Sequence, residues 1–269
     1  MKNDFLFFIL ITLPFVTVAA KNITYSSSKK DQDTLIISQN DVNPAVLKEG
    51  THRYLVYFKK GKEAPRSMTS FWTRKILKTE FNGKKAIEVS QVWEQNDTII
   101  HTTKSISDAK TMQWLYHKSW WQKTGNSTYN FINSTATIAD YTLNDNDTLK
   151  TRKKSWEGFK TSLKQYALNW HLDLETFPIL PHIVGVTFGV PFYDPGFSAP
   201  KYVYYTVTGS DKLIGYNNQE IDCWLLEHTT KGNKEVFWIS KETKEVLKLA
   251  QEIAGGRYYR YKIKMAFSN

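Results

Sequence analysis

The sequence predicts a mainly β protein: a curled antiparallel sheet or incomplete β-barrel built from two meander units, with one amphipathic helix packed on it. Two similar stretches and one change of period predict it. In 216–250, YNNQEIDCWLLEHTTKGNKEVFWISKETKEVLKLA, the residues Ile221, Cys223 and Leu225 alternate with Asp222, Trp224 and Leu226. Polar turns at 229–233 and 241–245 then lead into two further short strands. Period-two alternation bounded by Lys, Gly, Asn and Thr is the signal of an antiparallel meander. The same grammar runs through 81–116, where Ile87-Glu88-Val89 stands in the place of Ile221-Asp222-Cys223. The two lie about 134 residues apart, as in a degenerate two-copy unit. Between them, 154–170 switches period. Trp156, Phe159, Leu163, Tyr166, Ala167 and Trp170 fall at helical spacing, with Lys160, Lys164 and Gln165 elsewhere on the wheel. That stripe must be buried, and a sheet face is the obvious partner; alternatively its aromatics line a ligand site.

In chain order, residues 1–20 have a short Lys2 region, the apolar run FLFFILITLPFVTV, and Val18-Ala19-Ala20 before a cut near Ala20. This is the layout of a secretory signal peptide. The run is too short, and broken by Pro14, for a membrane span. Residues 21–50 are polar, with one apolar patch at Leu35-Ile36-Ile37, and read as a flexible leader. A single β-rich domain is expected over 51–269: a first meander unit at 51–150, a helix and Pro-rich connection at 151–200, and a second unit at 201–269.

Within the domain, 53–59 alternates Tyr54, Val56 and Phe58 with Leu55 and Tyr57, and 70–79 continues with Phe71-Trp72 and Ile76-Leu77. Asn82-Gly83 is a two-residue hairpin signal, and Asn96-Asp97 makes the next turn. Short strands follow near 128–132 and 135–143. Five of the eight prolines (Pro178, Pro181, Pro191, Pro195, Pro200) fall in 176–200, which reads as connection and edge, because proline cannot donate to a ladder. Val203, Tyr205 and Val207 share one side of a strand. After Gly255-Gly256, the last strand sets Tyr259, Tyr261, Ile263 and Met265 on one face against Tyr258, Arg260, Lys262 and Lys264 on the other, and is expected to have one buried and one wet face.

Composition excludes several functions. The net charge of +10 is mostly Lys with Asp and Glu interspersed. The longest basic run is Arg152-Lys153-Lys154, so no nucleic-acid patch is expected, and the charge reads as a solvated surface or an attraction to anionic membranes. The one cysteine, Cys223, rules out an internal disulfide and Cys-based zinc motifs, and its alternation makes it a small buried apolar residue. There is no Gly-x-Ser-x-Gly elbow, phosphate loop or His-Glu-x-x-His. His171, Asp173 and Glu175 would share one face of an extended segment, but Leu172, Leu174 and Phe177 suggest an apolar side that packs and a polar side that is solvated. Glu88 and Asp222 read as outward carboxylates rather than an acid–base pair. Trp93, Trp114 and Trp238 fit the core, whereas Trp120-Trp121 cannot both point inward, so one is the candidate exposed aromatic. Asn96, Asn126, Asn133 and Asn146 head Asn-x-Ser/Thr sequons that matter only in a glycosylating host.

The run LETFPILP at 174–181, followed by FYDPG, YYTVTGSDKL, IDCWLLEH, FWISKETKEVLKL and RYYRYKIK, resembles a family of exported β-sheet proteins of unknown function found in Bacteroidota and other Gram-negative bacteria. Such domains are similar to the periplasmic curled sheets of the lipoprotein carrier LolA and the sensor RseB. The resemblance implies an incomplete barrel whose concave face holds an acyl chain or apolar peptide, and transfers no residue roles. A four-turn helix cannot cover some ten strands, so part of an apolar concave face remains open or is filled by side chains. The expectation is therefore a soluble, exported, non-enzymatic envelope protein that binds lipid, lipoprotein or another apolar ligand. No nucleic acid, metal or cofactor is expected; peripheral contact with the envelope is compatible with this role. The candidate ligand-binding residues are Trp120, Trp121, Trp156, Phe159, Trp170, Phe192 and Tyr193. The alternatives are a glycan-binding module using Trp120 or Trp121 and a hydrolase using the region of His171, Asp173 and Glu175.

Overall fold

The structure, a computed structural model, describes residues 34–197, 199–215 and 218–265. The expected signal peptide and cut near Ala20 lie outside them, as does the leader up to residue 33. Sixteen strands form one unclosed, curled sheet. Eight strands, β2 (Gly50–Lys59), β3 (Ser67–Phe81), β4 (Lys84–Gln95), β5 (Thr98–Asp108), β6 (Trp114–Trp121), β7 (Gly125–Asn130), β8 (Thr135–Ile138) and β9 (Tyr141–Thr142), follow each other as an antiparallel meander. A second meander comprises β11 (Thr187–Tyr193), β12 (Lys201–Ile214), β13 (Glu220–Thr230), β14 (Asn233–Ser240), β15 (Val246–Ile253) and β16 (Tyr258–Lys264). The meanders meet where β16 pairs antiparallel with β2, Tyr261 opposite Tyr57. Hairpin chemistry acts as the sequence predicts: Asn82 and Gly83 take φ of 49° and 73°, and Asn96 and Asp97 take 50° and 56°, the double left-handed pair of a type I′ turn.

Residues 34–50 do not behave as a leader. β1 (Thr34–Ile36) pairs in parallel with β11, Leu35 opposite Phe188, and Ile37 and Leu47 are buried in the main core. The apolar Leu35-Ile36-Ile37 patch is the reason: it has a strand edge to complete. β1 and β9 end the ordered path with three and two residues. Short terminal strands blunt an exposed edge.

The helix is also displaced. α1 spans Lys150–Ser162, starting before and ending well short of the predicted 154–170. Ser162 Oγ bonds back to the Phe159 carbonyl at 2.7 Å in the final turn. Tyr166, Ala167 and Trp170 thus lie beyond the helix, and β10 (Leu168–Asn169) instead runs parallel to the end of β11. Ser155, Gly158, Phe159 and Ser162 form the buried stripe of α1, and Phe159 packs with Tyr129, Ala136 and Leu143 at the β7–β9 end. α1 therefore covers one end of the sheet. The middle of the concave face is covered by the chain after it, a strap containing the turn Trp170–Leu172, α2 (Asp173–Thr176) and the turn Phe177–Ile179. Leu172, Leu174, Phe177, Ile179 and Leu180 of this strap are all core residues.

Candidate functional site

The concave face has two unlike walls. From the second meander come Phe188, Val190 and Phe192 of β11, Val203, Tyr205 and Val207 of β12, Leu226 of β13, Phe237 and Ile239 of β14, and Leu249 of β15, all buried. From the first meander the buried set is mixed: Tyr54, Val56, Trp72, Ile76, Ile87 and Val89 of β2–β4 join the same apolar core, and beside them lie the polar Arg74 on β3, Gln91 on β4, His101, Thr103 and Ser105 on β5, and His117 and Ser119 on β6. Strand alternation puts each series on one face.

The strap lies between these walls and binds both. Phe177 packs against Tyr205 and Phe237, with ring centroids 4.7 and 4.5 Å away. On the polar side Arg74 forks onto Glu175, Nε to Oε1 at 2.8 Å and Nη2 to Oε2 at 2.5 Å, and Nη2 also donates to the His171 carbonyl at 2.7 Å. Gln91 Nε2 donates to that same carbonyl at 2.8 Å. Lys262 of β16 meets Asp173 Oδ2 at 2.5 Å and lies 4.7 Å from the Trp72 ring centroid. Burial alone would push the Asp173 carboxyl up, but Lys262 and then Arg74 hold it below the usual range. Burial brings Lys262 down to about 8, opposed by Asp173, so both partners are charged at neutral pH. Deeper in the face, burial raises Glu235, which accepts from Tyr205 Oη at 3.0 Å and from Gln251 at 3.3 Å.

The last strand corrects the sequence reading. Its Arg260–Lys262–Lys264 face turns inward: Lys262 is 3% exposed, and the Lys264 side chain reaches Glu245 at 3.2 Å. Its tyrosine face turns out, where Tyr261 stacks on Tyr57 at 5.1 Å. The cations can be inside because carboxylates meet them: Asp173 of the strap at Lys262, Glu245 at Lys264 and Glu235 beside Arg260.

An aromatic run lines the polar wall. Trp72 and Trp93 stack at 3.7 Å with planes 2° apart, Trp121 lies edge-on to Trp93 at 5.5 Å, and His101 stacks on Trp121 at 3.6 Å. His101 donates Nδ1–H to the Trp120 carbonyl at 2.8 Å, leaving Nε2 bare and buried with no partner among the described residues. Ser105 Oγ accepts from Asn169 Nδ2 at 3.0 Å and donates to His117 Nδ1 at 2.9 Å. Burial first, and the neighbouring His171 second, lower His101 to about 3 and His117 well below the ordinary imidazole value. Both rings are neutral. Among the described residues no three His, Cys, Asp or Glu side chains are placed to hold a metal ion.

The seven aromatics expected to bind a ligand are not one cluster. Trp170 and Phe192 meet edge-on at 4.9 Å in the main core. Phe159 joins Tyr193 only through Phe131, at 5.2 and 6.4 Å, at the α1 end. Trp156 is half-buried and donates to Asp145 at 3.0 Å. Trp121 points into the polar wall, and Trp120, one step along the strand, takes the other face. The expected solvated trio His171, Asp173 and Glu175 is instead folded over the interior, its two carboxylates bound to Lys262 and Arg74. Glu88 pairs with Lys104 at 2.8 Å, and five strands separate its strand β4 from β13, which carries Asp222, so no acid–base pair exists. Trp238 departs from the expected core: it is half-buried and donates to Asp211 at 3.0 Å on the outer face. Sequence reasoning missed Arg74, Gln91, His101, His117 and Lys262. The available signal was phase: Arg74 alternates with Ser70, Trp72 and Ile76, so a lone arginine sits in the inward series of its strand.

These features define a class, a single-sheet β protein whose two-walled concave face is closed by its own strap. Residues 53–264 match the model of a protein family of unknown function, DUF3108, and the chain belongs to that family. No curated protein matches it. Among solved structures, a crystal structure from Vibrio parahaemolyticus, assigned as an outer membrane lipoprotein-sorting protein domain, is similar at 10% identity over 81% of this chain and 85% of that one, with a TM-score of 0.25. A likeness that slight transfers neither ligand nor mechanism. No helix among the described residues is long and apolar enough to cross a membrane.

Proposed function

We propose that this protein is an exported envelope protein that binds an amphipathic ligand, a lipid or the acylated end of a lipoprotein, on its concave face and does no chemistry on it. One observation carries the reading: that face passes from an apolar wall of Phe, Val, Leu and Ile to a region where Arg74, Gln91, His101, Thr103, Ser105, His117 and Ser119 are buried together. Buried polar groups cost stability unless each finds a partner, and on this face His101 Nε2, His117 Nε2 and Thr103 Oγ1 are buried with none among the described residues. An amphiphile lying along the face satisfies both walls. The strap then acts as an occupant that yields, and ligand affinity depends on how readily it leaves. The carboxylates suited to proton transfer, Asp173 and Glu175, are held by cations, which favours binding over hydrolysis.

Native mass spectrometry of protein purified from its own envelope, together with fluorescence titration by the neutral apolar probe N-phenyl-1-naphthylamine, tests this reading. Bound lipid is expected, with probe binding that tightens about tenfold or more in Phe177→Ala because the strap is loosened. Absence of extractable lipid together with no probe binding in either protein would sink the proposal.

A further inference from the structure

Among the described residues the sheet holds more buried positive charge than its own carboxylates balance, and the strap supplies the remainder. Arg74 from β3 and Arg260 and Lys262 from β16 point to the interior, and Glu235, on β14, is the sheet carboxylate that acts on Arg260. Asp173 and Glu175 complete the balance, and both belong to α2 of the strap. The neighbouring Lys264 and His52 have their own carboxylate, Glu245, at 3.2 Å from each. If the strap lifts to admit a ligand, Asp173 and Glu175 leave with it. A neutral ligand would then strand Arg74 and Lys262 as uncompensated charges in a low-dielectric interior, a state that is strongly disfavoured.

Building on the amphiphile-binding reading above, we infer that the ligand carries an anionic head, a carboxylate or a phosphate, seated where the strap's Asp173 and Glu175 carboxylates now lie. The two acidic side chains are thus a built-in stand-in for the headgroup. The local geometry suits this replacement. Arg74 presents a planar fork already engaged in two parallel bonds to a carboxylate, the arrangement that guanidinium groups make with carboxylate and phosphate alike. Arg260 Nε is buried with no hydrogen-bond partner among the described residues, and Arg74 Nη1 has only the longer 3.6 Å ion pair to Asp173 Oδ1, so the cationic floor has donor capacity left for a head with more acceptor oxygens than the strap supplies. Beside this floor the Trp72–Trp93 stack, 3.7 Å between centroids, with Trp121 edge-on to Trp93 at 5.5 Å, forms an aromatic wall along which the first methylenes of an attached chain would run.

The experiment compares matched chains with different heads: dodecanoate, dodecyl phosphate and neutral methyl dodecanoate, each titrated by calorimetry into the full chain at about 0.5 M salt, where surface attraction is screened. The readout is the ratio of neutral to anionic Kd, in which the cost of lifting the strap cancels. A ratio of about ten or more is expected in the wild-type chain, falling several-fold in Lys262→Met and in Arg74→Gln. A tighter dodecanoate identifies a fatty-acid type of head, and a tighter dodecyl phosphate a phospholipid type; either supports the inference. Equal affinity for neutral and anionic chains overturns it and leaves the amphiphile-binding reading standing, whereas binding of none of the three overturns both. Should Arg74→Gln fail to fold, the wild-type ratio and Lys262→Met still decide.

Discussion

Arg74 and Glu175 are 101 positions apart in the chain and meet as a two-pronged buried pair, Nε to Oε1 at 2.8 Å and Nη2 to Oε2 at 2.5 Å. The pair ties α2 to β3 and so fixes the strap against the polar wall. Removing one member leaves the other charged in an apolar surround, which typically costs about 3–5 kcal/mol, whereas replacing both by apolar residues of similar size is close to neutral. Glu175→Gln is therefore expected to lower stability by about that amount, and Arg74→Met with Glu175→Leu to recover most of it, because Gln91 still serves the His171 carbonyl at 2.8 Å. A double-mutant cycle read by urea unfolding measures this. Additive losses would show that the pair does not act as a unit.

Ile37 separates a core segment from a tether. It is buried beside Leu47 in the main cluster, and its backbone N–H donates to the Gly189 carbonyl at 3.0 Å, extending the β1 pairing. Ile37→Ala is expected to cost about 2–5 kcal/mol, the range for truncating a buried aliphatic side chain. An unchanged urea midpoint would mean that residues 34–47 contribute nothing to the fold.

Acid should weaken the protein through its buried imidazoles, with Glu235, whose folded value burial raises, acting in the opposite sense. His101 is lowered to about 3 and His117 also falls well below its ordinary value, so between pH 6.5 and the folded values the unfolded chain binds protons that the folded chain refuses. Stability then rises with pH through this window and is lost as pH falls. For an imidazole held neutral, the loss between pH 7 and pH 5 is about 2 kcal/mol. At still lower pH Asp173, whose folded value is depressed, adds its own loss as it protonates. His101→Phe should flatten the upper part of the profile, measured as unfolding free energy at pH 7 and pH 5. An equally steep dependence in the variant would rule out His101 as its source.

Cys223 is buried, and burial first, with Asp211 second, pushes its thiol up to about 11. Thiolate is the reactive form, so the native chain should resist a disulfide reagent at pH 8 and react fully once unfolded in guanidinium. Rapid labelling of the native chain would place the sulfur at the surface.

Alternation and turn chemistry carried much of the architecture in advance. Asn82-Gly83 and the phase of Val203, Tyr205 and Val207 are local properties, and the folded chain obeys them. Alternation says that a strand has two faces, however, without saying which one is interior. For β16 the usual rule, apolar in and charged out, gives the inverted answer, because the carboxylate serving Lys262 comes from Asp173, 89 positions away. The helix was misplaced for a related reason. Tyr166 and Trp170 keep helical spacing by coincidence, while the chain there is committed to the strap, with Tyr166 Oη bonded to the Thr111 carbonyl at 2.8 Å. Periodicity reports local geometry, and the interior polar wall is assembled from pairings that no local window contains.

The junction of β16 with β2 has a consequence for biogenesis. Tyr259 lies opposite Lys59 and Lys264 opposite Tyr54, so the sheet's central seam joins two segments about 200 positions apart in the chain. Until residue 264 has been made, each meander carries a bare ladder that no sequential neighbour can fill. Such long-range closure is slow and leaves adhesive edges in the nascent chain. Cells making a chain truncated before Tyr258 should accumulate it with holdases or in inclusion bodies, even though every strand of the first meander is intact.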